Sequence, residues 1–251
     1  MKFEEAFSTY DQITHPIDEI NDLFIRDKKF YAEHLQSTFL CPECHMAPLS
    51  YNNAETPYFK SYPHASHADD CSLRQDEMSA SKASELVADP SNDEVIQRQM
   101  QSTLSILLSN KIPTPCEKQK DAHAHRESSV NNFQLHLIST RFPRKRIDIA
   151  FRPEDFNCYK LFYGHVFVKW EKDIVRNRFR ILLYHVNKKH LVCRISVTDK
   201  VYHYVNEQYK FSDERECNVV FLALFPRDSG KDYQSTYLRF SDKIIIQEAN
   251  S

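Results

Sequence analysis

Glycine is nearly absent from this chain: 2 residues in 251. Walker A loops and dinucleotide fingerprints need clustered glycines to bring backbone amides against phosphate, so no nucleotide cofactor is expected. No apolar run approaches the length of a membrane span, which argues against a membrane partner. The opening residues Met1 to Tyr10 carry acids and no apolar core, so no secretory signal is expected. With that reading, the seven cysteines are expected to be reduced, in a cytoplasmic protein without disulfides. G-x-S-x-G, H-E-x-x-H and a second C-x-x-C are all missing, and no catalytic constellation is assigned. What is present is ordinary for a globular chain, with 41% hydrophobic and 27% charged residues and length for two or three units.

One stretch carries a chemistry in its spacing. Cys41 and Cys44 form a C-P-E-C knuckle, and His67 and Cys71 follow as H-x3-C. Zn²⁺ takes thiolate sulfur and imidazole nitrogen in a closed tetrahedron, and ligand pairs two or three residues apart can be offered from one turn. Four protein ligands leave no open position, so the expected zinc is structural. His64 and His45 lie nearby, and His64 stands as the alternative fourth ligand; the tighter spacing to Cys71 favours His67. The run C-P-E-C-H also matches a haem-attachment signature, but that chemistry needs export. A thioredoxin-like site would need a βαβ pattern, and Pro48, Asn52, Asn53 and Pro57 read as loop.

The runs KKFYAEHLQSTFLCPEC, PYFKSY and HADDC, within residues 28 to 74, resemble the N-terminal zinc region of the competence protein CoiA family and the zinc-ribbon proteins of bacterial mobile elements. The resemblance implies a zinc-ribbon-like module. Such chains often have a histidine where this one has Tyr58, which moves the fourth ligand to the later histidines. In some relatives a nuclease-type domain follows. Arg146-Ile147-Asp148-Ile149-Ala150 looks like the first acidic motif of such an enzyme, whose metal chemistry needs a second carboxylate in an E-x-K on the next strand. The following run, Gly164 to Lys172, has none, and Asp148 reads better as an ion-paired acid among Arg144, Lys145 and Arg146.

The net charge of −2 hides a division. Acids dominate from Asp69 to Glu94, and bases from Arg141 to Lys189, an asymmetry that suggests an anionic partner for the basic part. Arg144, Lys145, Arg146, Lys169, Lys172, Arg176, Arg178 and Arg180 are the candidate nucleic-acid-binding residues, interleaved with Phe162, Tyr163, Phe167, Trp170, Phe179 and Tyr184. Cations that follow phosphates and aromatic faces that stack bases are what a single-strand groove uses. A solvated face has the same composition.

The expected fold class is α+β, with an N-terminal zinc-ribbon-like module over 1–75, a helical connector and loop over 76–130, and an antiparallel β-barrel, OB-like, or sandwich over 131–251. Ile17, Ile20, Leu23 and Phe24 recur at helical spacing. Lys28–Leu35 and Thr38–Leu40 read as strand pieces leading into the knuckle. Asp76–Ala88 reads as helix, and Ser91 with Glu94 forms a capping box before Ile96, Met100, Leu104, Leu107 and Leu108, all on one helical face. Lys111–Ser129, with His123 and His125, reads as loop. Beyond Asn132 the period changes to two, and short runs from Phe133–Leu137 onward, including Arg146–Phe151 and Val201–Val205, read as strands. The function expected from these features is a zinc-stabilised nucleic-acid-binding protein of bacterial DNA transactions. A protein-interaction adaptor and a divergent nuclease are the alternatives.

Overall fold

The computed structural model describes residues 2–68, 71–109, 140–173, 178–186, 190–209, 214–226, 234–238 and 243–249. The expected loop Lys111–Ser129, the strand Phe133–Leu137 and Arg176 lie outside the described residues. The fold is α+β and falls into two compact units, within the spans Met1–Asp76 plus Ser109–Arg141 and Glu77–Leu108 plus Phe142–Ser251.

The first unit is built on two small antiparallel sheets. In one, β1 (Lys2–Phe3) pairs with β6 (Tyr58–Ser61), which pairs with β5 (Leu49–Asn52); in the other, β2 (Glu5–Ser8) sits between β3 (Thr14–Pro16) and β4 (Phe39–Leu40). Helix α1 (Ile17–Arg26) buries Ile17 and Ile20 and keeps Asp18 and Glu19 in its first turn, where the helix dipole favours acids. Phe3, Ala6, Tyr31, Leu35, Phe39, Leu49 and Phe59 complete the buried apolar set.

The segment expected as a strand, Lys28–Leu35, is helical instead: α2 (Lys28–Phe30) runs into a π-helical turn, Tyr31–Leu35. The Asp27 carboxylate accepts the Phe30 N–H at 2.9 Å and starts the turn, and Tyr31 and Leu35, four apart, are the two buried side chains. The hairpin that carries the knuckle is β4 with β5, joined by the Leu40 to Pro48 bridge.

The short strands β7 (Asp76–Glu77) and β8 (Thr140–Arg141) end the two spans of the first unit. In the second unit, α3 (Ala80–Ala88) is capped by Ser79, whose Oγ accepts the Lys82 N–H. Helix α4 (Asp93–Ser109) begins one residue later than the capping box implied, because Asp89 caps a 3-10 turn over Pro90–Asn92. Ile96, Met100, Leu104 and Leu107 are buried along one face.

The rest is one seven-stranded sheet: β9 (Arg144–Arg146), β10 (Tyr159–Asp173), β11 (Arg178–His185), β12 (Leu191–Val197), β13 (Arg215–Leu224), β14 (Gln234–Leu238) and β15 (Ile244–Glu248). The order is β14-β12-β11-β10-β13-β15, with β9 beside β10. This corrects the expected antiparallel barrel. The sheet is open among the described residues, with β14 and β15 at its ends, and β9/β10 and β12/β14 are parallel pairs. It curls far enough for the Thr236 hydroxyl to donate to the Leu224 carbonyl at 2.8 Å, but no backbone ladder among the described residues closes that seam.

Val201–Val205, expected as a strand, belongs to helix α5 (Asp199–Tyr209). The Thr198 hydroxyl accepts the Val201 N–H at 3.2 Å as a cap, and Val201 and Val205, both buried, enter the sheet's core with Phe162, Val166, Ile181, Ile195, Val219 and Phe221. Gly164 matters for a steric reason: a Cβ there would lie 2.7 Å from Ile147 Cγ1, so the missing side chain lets buried Ile147 lie against β10.

Candidate metal centre and basic sheet face

The knuckle is the tip of the β4–β5 hairpin. Cys41 N–H donates to the Ala47 carbonyl at 2.8 Å, and His45 N–H to the Cys41 carbonyl at 3.0 Å, so the chain reverses around the two cysteines. His45 takes the left-handed conformation this turn needs (φ 51°), and its ring stacks on Phe7 at 3.7 Å. The second ligand pair comes from the loop after β6. Glu43, between the knuckle cysteines, accepts from the Ser72 N–H at 2.9 Å and the Ser72 hydroxyl at 2.6 Å, which ties the residue after Cys71 to the knuckle.

Those constraints bring the Sγ atoms of Cys41, Cys44 and Cys71 and a ring nitrogen of His67 within 4.8 Å of one another. Cys41 Sγ to Cys71 Sγ is 3.8 Å, and His67 Nδ1 lies 3.6 Å from Cys44 Sγ and 3.4 Å from Cys71 Sγ. A tetrahedron with Zn–S near 2.3 Å and Zn–N near 2.0 Å has S···S edges of about 3.8 Å and S···N edges of about 3.5 Å. The donor set fits zinc in both chemistry and size. His67, not His64, is the histidine that lies in this group. Cys41 and Cys71 are buried, while Cys44 and His67 are partly exposed.

The electrostatics of the two ligand types differ. Burial lowers the His67 pKa, opposed by Glu43 and reinforced by Arg141 and Arg74, so the ring stays neutral and keeps the lone pair a metal takes. The Cys71 thiol is pushed far up by its hydrogen bond to Cys41, then by burial; a bound cation inverts that preference and holds thiolates.

Compared with protein-family models, curated proteins and solved structures, the chain matches none of them. Function therefore has to be read from the geometry.

The candidate cations divide into two sets. Lys145 is 1% exposed; its ammonium donates to the Ala150 carbonyl at 3.0 Å and sits 3.5 Å from Asp155, which also binds Lys160 at 2.7 Å. Arg146 grips Asp148 with two nitrogens, at 2.9 and 2.5 Å. Arg144 donates to the Ser102 hydroxyl. These three belong to the interior bonding of the second unit. Asp148 follows β9 in a turn rather than on the strand expected for Arg146–Phe151. Burial alone would raise its pKa, but Arg146 overrides that and holds the carboxyl below its usual range.

The second set shares one face of the sheet. Ile181 and Leu183 on β11 point into the core with Val166 and Val168 of β10, so Arg178, Arg180, Leu182 and Tyr184 take the opposite face. The pairing sets Phe167 beside Tyr184, Lys169 beside Leu182 and Glu171 beside Arg180. It continues onto β12, where Arg194 lies beside Leu182 and Ser196 beside Arg180, and onto β14, where Ser196 meets Tyr237. Lys169 and Arg178 are exposed, Tyr237 is 45% exposed, and Phe167, Arg180, Tyr184 and Arg194 are partly so. Glu171 and Glu216 also lie on this face. Lys172 is on the other face, with its ammonium 5.5 Å from the centre of the Phe179 ring. Arg194 was not among the sequence candidates, although the alternation of Cys193, Ile195 and Val197 marks it as outward.

Among the described residues, no helix is long and apolar enough to cross a membrane.

Proposed function

We propose that the chain is a nucleic-acid-binding protein whose first unit is held together by one structural zinc ion and whose second unit binds single strands, without strict sequence preference, on its outer sheet face. The observation that carries this reading is the register that sets Lys169, Arg180 and Arg194 around Phe167 and Tyr184 on one face of the sheet, where Leu182 lies buried between them and Glu171 pairs with Arg180 at 3.7 Å. Such a surface offers cations to phosphates and aromatic faces to unstacked bases. Arg178 extends it, and Tyr237 adds an exposed ring at its β14 end.

Zinc in this account does no chemistry on substrate. Bound by Cys41, Cys44, His67 and Cys71, it contributes folding free energy to a unit with a small apolar core. The likeness of residues 28–74 to CoiA-type zinc regions is the reason to place the protein in the bacterial cytoplasm and in DNA transactions such as competence, mobile elements or phage defence.

A nuclease reading is less well supported. Among the described residues, Asp148 is the one acid lining its pocket, and Arg146 already binds both its oxygens. The test of the proposed function is binding of single-stranded oligonucleotides to the full chain at low salt, with and without Arg178, Arg180 and Arg194. Binding that ignores these arginines would favour the protein-adaptor reading instead.

A further inference from the structure

The outer face of the second unit is lopsided in charge across the strand order. Arg194 stands on β12, Arg178 and Arg180 on β11, Phe167 and Lys169 on β10, and Glu216 on β13. Glu171 pairs with Arg180 at 3.7 Å, whereas Glu216 lies on the far side of β10 from all three arginines. The register sets Phe167 between Tyr184 on β11 and Glu216 on β13. A strand with its phosphates over the β11 and β12 arginines therefore lays its bases across Tyr184 and Phe167, with their edges toward Glu216.

Glu216 is held ready for such a contact. Asn218 is 1% exposed, and its Oδ1 lies 3.1 Å from His165 Nδ1; the other ring nitrogen, Nε2, donates to Glu216 Oε1 at 2.5 Å. The pairing of β10 with β13 makes these neighbours, with His165 opposite Asn218 and Phe167 opposite Glu216. The buried amide fixes the ring and the ring fixes the carboxylate, so little ordering remains when a ligand arrives. Glu216 is exposed, and His165 takes one of about four acceptor positions on its carboxylate.

A carboxylate accepts hydrogen bonds and does not donate them. Cytosine, adenine and guanine present amino groups at their edges, whereas thymine and uracil present carbonyl oxygens that a carboxylate repels. We infer that Glu216 is a specificity-determining residue of the outer face, favouring single strands of amino-bearing bases over thymine- or uracil-rich ones, with His165 and Asn218 as its positioning residues. The inference rests on the outer-face reading and adds a base preference to it.

Fluorescence anisotropy of the full chain with deoxycytidine and thymidine octamers at neutral pH tests this. The two strands carry the same phosphates, so their salt slopes should agree while the deoxycytidine octamer binds at least about fivefold more tightly. Glu216→Gln, whose amide can donate as well as accept, should bring the ratio of the two affinities close to one. His165→Leu, which releases the carboxylate, should lower the same ratio, an effect that a purely structural role for the ring would not produce. Failure of both octamers to bind at low salt would remove the outer-face reading and this inference together. Binding with a ratio near one in the wild type, or a ratio kept in Glu216→Gln, would overturn the inference alone, and a ratio kept in His165→Leu would overturn the positioning role.

Discussion

Removing one metal ligand should unfold the first unit while leaving the second standing. Cys71 is the sharpest place to cut, because it is 5% exposed and its sulfur lies 3.8 Å from Cys41 and 3.4 Å from His67. Structural zinc contributes about 10–16 kcal/mol of apparent binding free energy in small zinc domains, against total stabilities of about 5–15 kcal/mol. The apolar core of the first unit rests on few large side chains, among them Phe39, Leu49 and Phe59. Cys71→Ser and Cys44→Ser should each reduce zinc from one per chain to near none by metal analysis. The low-temperature unfolding transition should then be lost and the transition of the second unit kept. Cys193→Ser is the control: that cysteine is fully buried in the sheet core, so its loss should cost stability without touching zinc content. Full zinc in both ligand variants would refute the assignment.

Three further outcomes follow from the packing. Gly164→Ala should destabilise the second unit by about 1–3 kcal/mol in chemical denaturation, because the new Cβ would meet Ile147 at 2.7 Å in a filled core. Asp155→Asn should cost about 3–5 kcal/mol by the same measurement, since it leaves the buried ammoniums of Lys145 and Lys160 without their shared carboxylate. His15 gives a pH signature. Burial alone would lower its pKa, but Glu19, 3.2 Å from Nδ1, and Asp11, 2.7 Å from Nε2, raise it overall. A raised folded-state pKa adds stability that is fully present below the unfolded value of about 6.5 and is lost as pH rises through the folded value. The melting temperature of the first unit should fall over that window in the wild type, and His15→Gln should flatten the fall.

The parts legible in the sequence are those fixed by short spacing. C-x2-C and H-x3-C each lie within one turn, so residue order alone nearly determines where the ligands meet. Helix α4 was legible for a similar reason, its apolar face repeating over several turns. Two segments were not. Val201 and Val205 are four apart, a separation that satisfies both the strand and the helix period, and the Thr198 cap decided it. Tyr31 and Leu35 posed the same ambiguity, resolved by Asp27. Lys145 looked like a surface base because its partner, Asp155, becomes a neighbour only when the β9–β10 connection folds back, whereas the Arg146–Asp148 pair, two residues apart, was within reach of the sequence. The parity argument for Arg178 and Arg180 needed nothing but alternation, and the same argument applied to β12 finds Arg194. The open sheet was beyond reach, since the parallel pairing of β14 with β12 depends on a crossover that no local pattern records.

The central claim is that the outer sheet face binds nucleic acid, and its most direct test is the salt dependence of single-stranded oligonucleotide binding measured by fluorescence anisotropy. Each phosphate neutralised on a single strand contributes about −0.7 to the slope of log affinity against log salt. Wild-type protein should bind at low salt with a slope that reports several contacts. The alanine variant at Arg178, Arg180 and Arg194 should bind more weakly, with the slope flattened by up to about 2 in total. Lys145→Met, which alters a buried cation, should leave the slope unchanged. No wild-type binding at low salt, or an identical slope in the triple variant, would contradict the account.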